Sequence, residues 1–220
     1  MSKHSIIITA GGIGKRMQSH LPKQFIQINE KPILMYTIEC FYHFDPKAQI
    51  MLTLPEDWFQ YWEGLIHEFD FRIPHRIVEG GKERYDSIKN ALEEATGTFI
   101  AVHDGVRPLV SEETLRNCFK GVRDYGAVIP VIPMVESLRK KQDVGTIAVD
   151  RSEYYSVQTP QCFHRDVLMK AYELPFHEGI TDDASLVEAA GFEIVTVPGN
   201  EENIKITAQS DLKYAQMFLK

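Results

Sequence analysis

The sequence predicts an α/β fold, a mainly parallel sheet covered by helices. Two observations carry this: short apolar, β-branched runs recur along the chain, and amphipathic helical stretches lie between them. The runs at residues 5–10, 49–54, 76–79, 99–103, 127–132 and 193–197 read as strands. The clearest helix spans 83–95, where Ile88, Ala91, Leu92 and Ala95 fall on one face. A last helix is expected over 209–219, with Thr207 as its N-cap and Asp211 in its first turn. In sheets of this kind ligands bind at the carboxyl ends of the strands.

One stretch breaks the alternation. Residues 136–159 hold a polar segment around Lys141 to Gly145, flanked by Ser137-Leu138-Arg139 and Thr146-Ile147-Ala148-Val149, which reads as a two-stranded arm. An isolated hairpin is marginal in water, so the arm is expected to pack on a second copy of the chain and form a homodimer.

At 220 residues, without repeat, linker or low-complexity tract, the chain is expected to form a single domain over 1–220. The hydrophobic share of 44% and the lack of a long apolar stretch predict a soluble protein with no membrane partner. The apolar run that opens the chain is too short for a signal peptide, so a cytoplasmic location is expected. Cys40, Cys118 and Cys162 are odd in number and far apart, which fits buried free thiols better than disulfides or a metal site. The net charge of -7 argues against nucleic acid as a partner. Binding a polyphosphate would require locally gathered positive charge.

Such a gathering follows the first strand, in Ala10-Gly11-Gly12-Ile13-Gly14-Lys15-Arg16-Met17 and then Pro22-Lys23-Gln24. Glycines let the backbone bend tightly and bring amides to a phosphate, and Lys15, Arg16 and Lys23 add charge. A P-loop is excluded because Arg16 follows Gly14-Lys15 where Ser or Thr is needed. A dinucleotide loop is excluded because Met17 stands where a small residue is needed.

Further blocks follow in order: Gly80-Gly81-Lys82-Glu83-Arg84 with Asp86-Ser87, His103-Asp104-Gly105-Val106-Arg107-Pro108, Asp150-Arg151, Thr159-Pro160-Gln161, Thr181-Asp182-Asp183-Ala184-Ser185 and Asn203-Ile204-Lys205-Ile206-Thr207. Together with the glycine loop they resemble the 2-C-methyl-D-erythritol 4-phosphate cytidylyltransferases of the non-mevalonate isoprenoid pathway, over nearly the whole chain. The resemblance departs at Gly11, where the family often has alanine, and at Ser137, where a threonine is expected. It implies a Rossmann-like nucleotidyltransferase fold with helices on both faces and a protruding β-arm. It also implies transfer of the cytidylyl group of CTP to a sugar-alcohol phosphate.

The resemblance places Arg16, Lys23 and Lys205 around the α-phosphate as catalytic groups, and Lys15 nearer the β- and γ-phosphates. CTP is expected against Ala10, Gly11, Gly12, Gly14, Lys15, Gly80, Gly81, Ser87 and Asp104. The absent side chains of Gly80 and Gly81 would admit cytosine to the backbone, and the Ser87 hydroxyl would add a hydrogen bond. Asp104 closes an apolar strand at the ligand edge, where one carboxylate suffices for Mg2+ when phosphates supply other ligands. Its other reading is an N-cap or a salt bridge to Arg107. The acceptor is expected at Arg107, Ser137, Arg151, Thr159, Thr181 and Thr207, with Ser137 and Arg151 supplied by the neighbouring subunit's arm. His103 reads as a packed strand residue, Arg84 as a stabiliser of its turn, and Asp182 and Asp183 as caps of the next helix. Two other readings stay open: ribitol 5-phosphate cytidylyltransferase, which shares most of these blocks, and a nucleotide-binding regulator without catalysis.

Overall fold

The computed structural model describes residues 3–12 and 21–219. Gly14, Lys15 and Arg16 lie outside the described residues. In chain order the elements are β1 (His4–Thr9), β2 (Gln27–Ile28), β3 (Lys31–Pro32), α1 (Ile33–Phe44), β4 (Gln49–Leu54), α2 (Phe59–Glu68), β5 (Arg76–Glu79), α3 (Arg84–Glu94) and β6 (Phe99–Asp104). The second half continues with α4 (Glu112–Tyr125), β7 (Ala127–Pro133), β8 (Arg139–Lys141), β9 (Thr146–Ala148), β10 (Tyr155–Val157), β11 (Gln161–His164), α5 (Arg165–Ala171), α6 (Asp183–Ala189), β12 (Val195–Pro198) and α7 (Gln209–Gln216).

The central sheet runs β5-β4-β1-β6-β11-β7-β12, with β10 continuing the β11 side of β7. The strands β5, β4, β1 and β6 are mutually parallel, and β11 inserts antiparallel between β6 and β7. The α/β class with a mostly parallel sheet is therefore as the sequence predicts. The sequence reverses direction of growth at β1: β4 and β5 lie on one side and β6 on the other. Such a switch point opens a crevice at the strand ends, and here Thr9 and Asp104 sit opposite each other at its floor.

Both faces of the sheet are covered because consecutive side chains of β1 point opposite ways. Ile6 and Ile8 join a core with Leu34 and Ile38 of α1, Trp62 of α2 and Leu115 of α4. Ile7 joins the other core with Ile88 and Leu92 of α3, Leu168 of α5 and Leu186 of α6. All three isoleucines are buried, and removing one such side chain typically costs about 2–5 kcal/mol. A smaller cluster of Ile28, Ile33, Val106, Ile206 and Ala215 seats α7 and the loop before it.

Several boundaries differ from expectation. The last strand begins at Val195, where pairing with Val128 starts, and α7 ends at Gln216. The N-cap of α7 is Ala208, because Asp211 reaches back to the amides of Thr207 and Ala208 and also takes the Thr207 hydroxyl. The arm strands pair Arg139 with Ala148 and Lys141 with Thr146, two residues later on the first strand than the sequence suggested. Cys118 and Cys162 are buried free thiols, whereas Cys40 is half-buried and donates to the Pro108 carbonyl. No helix among the described residues is long and apolar enough to cross a membrane.

Behind α2, Trp62 Nε1 donates to His75 Nε2 at 2.9 Å, which requires that nitrogen to be bare, while Nδ1 donates to the Ile73 carbonyl at 2.8 Å. Burial holds the His75 pKa below its ordinary 6.5. A histidine that is harder to protonate when folded contributes stability above its unfolded pKa and loses it as pH falls. The urea midpoint should therefore drop between about pH 7 and about pH 5, and drop less in His75→Gln, whose amide accepts from Trp62 without titrating. Unfolding curves at the two pH values check this.

Candidate active site

A cleft of about 320 Å³ opens at the switch point, lined by Thr9, Ala10, Gly11 and Gly12 from the end of β1, Lys23 and Gln24, the turn from Gly80 to Arg84, Ser87, Asp104 and Lys205. These residues come from five separate stretches of sequence. Each is brought in by an identifiable local cause.

Lys23 opens a short 3-10 turn, and the two residues after it are anchors. Gln24 is buried and its Nε2 donates to the Ala10 carbonyl at 2.5 Å, which fastens the turn to the end of β1. Phe25 is buried among Trp58, Tyr61 and Trp62. The Lys23 stem thereby lies over the glycine loop, with Cε 3.5 Å from where a Cβ on Gly12 would stand. Lys205 arrives on a loop without regular structure. Ile206 is fully buried and its amide donates to the Val106 carbonyl at 3.0 Å, which lays the loop alongside the residues after β6.

Asp104 is the negative centre of the cleft. Arg107 Nε donates to its Oδ2 at 3.0 Å, and Lys205 Nζ stands 3.2 Å from the same oxygen. Burial by itself would raise the carboxyl pKa, but Lys205, Arg84 and Arg107 together overcome it and hold the group well below the carboxylate range. Asp104 is thus ionised at every pH the protein meets. The salt bridge to Arg107 is present and uses Oδ2. Among the described residues no group of three or more His, Cys, Asp or Glu could hold a metal ion, so a cation here would depend on Asp104 and on phosphate oxygens.

The turn after β5 is shaped by its own packing. A Cβ on Gly81 would stand 2.2 Å from Asp86 Cβ, and one on Gly80 would stand 3.3 Å from the Leu54 carbonyl carbon. The glycines are therefore needed for the chain's own close approach. Their backbones still line the cleft. The Ser87 hydroxyl accepts from the Gly81 amide at 3.0 Å and donates to the Glu83 carbonyl at 3.1 Å. It fixes the turn. Glu83 and Asp86 form a reciprocal cap on α3.

Arg84 does more than stabilise its turn. Its Nη2 pairs at 2.7 Å with Asp183, which is fully buried and also accepts the Tyr172 hydroxyl at 2.6 Å. Burial opposes the charge on Arg84, but Asp183, Asp104 and Tyr172 together more than offset it and raise the guanidinium pKa. Only Asp182 caps α6; Asp183 is the ion-pair partner.

The expected acceptor residues divide. Thr159 is buried, its hydroxyl shared between the Asp104 amide and His103, so it braces Asp104 from behind. Arg107 is committed to Asp104 and to the Asn203 carbonyl through Nε and Nη1. Thr181 lines a separate hollow of about 130 Å³ on the far side of Arg84. Thr207 donates to Asp211. Ser137 and Arg151 are exposed at the arm, where Arg151 donates to the Val135 carbonyl. His103 is fully buried, packs edge-on to Phe41, and burial lowers its pKa to about 4, as a strand residue inside the sheet should be.

Sequence reasoning missed Gln24 and Lys82 as lining residues, although both stand inside the quoted blocks. Neither carries a chemical signature that separates it from an ordinary surface residue.

Removing the Asp104 charge would leave neighbouring cations without their counterion, a change that typically costs about 3–5 kcal/mol. Asp104→Asn should lose stability in that range by urea unfolding at neutral pH, and the loss should shrink below about pH 4, where the carboxylate protonates in the unfolded parent while the folded one stays ionised.

Comparison with known proteins agrees with this geometry. The profile of the 2-C-methyl-D-erythritol 4-phosphate cytidylyltransferase family matches residues 4–220. The enzyme of that name from Bacteroides fragilis is 48% identical, covering 97% of this chain and 98% of its own. That from Bacteroides thetaiotaomicron is 46% identical, covering 99% of this chain and 100% of its own. Among solved structures, 4-diphosphocytidyl-2C-methyl-D-erythritol synthase from Anaerococcus prevotii superposes with a TM-score of 0.83 at 26% identity, covering 99% of this chain and 98% of the other. The cytidylyltransferase from Thermus thermophilus gives 0.76 at 26% identity, with 96% of each chain covered. An anionic cleft floor ringed by cations, on a matching fold and an almost full-length relationship, leads to one assignment: this chain belongs to the 2-C-methyl-D-erythritol 4-phosphate cytidylyltransferase family.

Proposed function

We propose that the chain transfers the cytidylyl group of CTP to 2-C-methyl-D-erythritol 4-phosphate, releasing pyrophosphate and forming the CDP-alcohol used in isoprenoid biosynthesis. The observation that carries this is the convergence of Lys23, Lys205 and Asp104 beside glycine-rich backbone in one cleft at the strand ends. A phosphate monoester loses its second proton near pH ~6, so the attacking oxygen is already mostly dianionic at neutral pH. No proton-abstracting residue is needed. The task is to hold two anions in line and to stabilise charge on the α-phosphate and the leaving pyrophosphate.

Lys23 and Lys205 supply that charge from opposite ends of the chain, and by family resemblance Arg16 and Lys15 add to it. Backbone of Ala10, Gly11 and Gly12, with Gly14 by resemblance, cradles the triphosphate, and the Gly80-Gly81 backbone meets the base. Protein carbonyls accept from the cytosine amino group; uracil presents an oxygen there and leaves them unpaired. Asp104 would hold Mg2+, and the ion would supply Lewis-acid charge to the phosphates.

Arg107 offers its remaining Nη2 group to the acceptor phosphate, and Thr181 and Thr207 flank the alcohol. Ser137 and Arg151 reach the site of a second copy. The arm exposes Val144, Ile147, Tyr154, Tyr155 and Val157, and among the described residues β8 and β9 pair only with each other. Such a ribbon is stabilised by a homodimer partner. The domain is one unit over 1–220, in the cytoplasm, where Cys40, Cys118 and Cys162 stay reduced.

Purified chain with CTP, Mg2+ and 2-C-methyl-D-erythritol 4-phosphate should release pyrophosphate, and UTP should substitute poorly. Release with ribitol 5-phosphate alone would move the assignment to that acceptor, and tight CTP binding without turnover of either would indicate a regulator. Lys205→Ala should lower kcat by about a hundredfold or more, a loss far larger than the accompanying drop in melting temperature accounts for. Parental turnover in that variant would remove Lys205 from the chemistry.

A further inference from the structure

The reading above leaves His103 without a task, and the hydrogen bonds around it supply one that rests on that reading. Groups that can act in only one sense fix the direction of each bond. The Asp104 amide can only donate, and it does so to Thr159 Oγ1 at 3.1 Å. The Arg107 carbonyl can only accept, and its partner at 3.0 Å is His103 Nε2, so the ring proton sits there. No carboxylate bonds to either ring nitrogen, and a fully buried imidazole so placed is neutral. Nδ1 is therefore bare, and it accepts the Thr159 hydroxyl at 3.0 Å. Arg107 Nε then donates to Asp104 Oδ2 at 3.0 Å and closes the ring.

A branch extends the ring to the second cation. Arg107 Nη1 donates to the Asn203 carbonyl at 2.7 Å, and Asn203 Nδ2 donates to the Thr159 carbonyl at 2.8 Å. Asn203 is fully buried and stands two residues before Lys205. The same hydrogen bonds therefore hold both members of the Asp104–Lys205 pair.

We propose that His103, as the Nε2-protonated tautomer, is a positioning residue for the transfer reaction: with Thr159, Arg107 and Asn203 it sets the Asp104 carboxylate and the Lys205 ammonium in their working relation. It touches no substrate. The competing role is plain packing against Phe41, whose ring centroid is 4.8 Å away. His103→Phe keeps that bulk and removes both ring hydrogen bonds.

The test compares His103→Phe with His103→Gln, which keeps a donor near the Nε2 position, and with Thr159→Val, which opens the ring elsewhere. Turnover is measured per folded protein with CTP, Mg2+ and 2-C-methyl-D-erythritol 4-phosphate. In His103→Phe and Thr159→Val, kcat should fall on the order of tenfold to a hundredfold while KM for CTP stays within about twofold, with His103→Gln between them and the parent. Parental kcat in folded His103→Phe overturns the proposal. Nitrogen NMR on the parent labelled at histidine decides independently of activity and of variant folding: the proton on Nε2 is expected, and a proton on Nδ1 reverses the ring and overturns the proposal. A parent that turns over no acceptor sinks the reading of the reaction, while the tautomer still decides whether the ring exists.

Discussion

The site depends on one electrostatic constraint: a carboxylate at the end of a buried strand that stays ionised because cations from distant parts of the chain surround it. Asp104 is nearly inaccessible, and burial alone would drive it toward the neutral acid. Arg107 and Lys205 prevent this, and Arg84 contributes from across the cleft. Each cation is in turn fixed elsewhere, Arg84 by Asp183, Arg107 by the Asn203 carbonyl, and the Lys205 loop by the Ile206 amide on Val106. The arrangement is preorganised in the sense that matters for phosphoryl transfer, since charge is already in place before the reacting phosphates arrive.

Much of the architecture was legible in the sequence. The strand limits 49–54 and 76–79 coincide with β4 and β5, and the helix over 83–95 contains α3 within one residue at each end. These segments bury apolar residues at the period their structure requires, so composition and geometry agree. The edges were less readable. At α7 a carboxylate one turn inside the helix outcompeted the threonine that looked like a cap. In the arm neither strand is buried, so no apolar period marks the register.

Within the site, the ordered blocks brought the right segments together without revealing what each group does there. Ser87, Thr159 and Gly81 have the residue types a ligand would want, yet the folded chain uses them on itself: Ser87 on the Gly81 amide, Thr159 on Asp104 and His103, and Gly81 for its approach to Asp86. Long-range pairing of this kind, as with Arg84 and Asp183 separated by 99 positions, leaves no local trace in sequence. Residue type indicated a polar task, and only the three-dimensional neighbours decided whether that task was binding or bracing.

The inserted strand β11 has a topological effect that reaches beyond its own four residues. β7 finishes at the ligand-facing rim of the sheet, and β11, running the opposite way, starts at that same rim. The arm between them therefore leaves the body at that rim, and the chain returns there through β10 and the buried Thr159. The exposed ribbon of β8 and β9 can lengthen, shorten or change its side chains with no repacking of the interior.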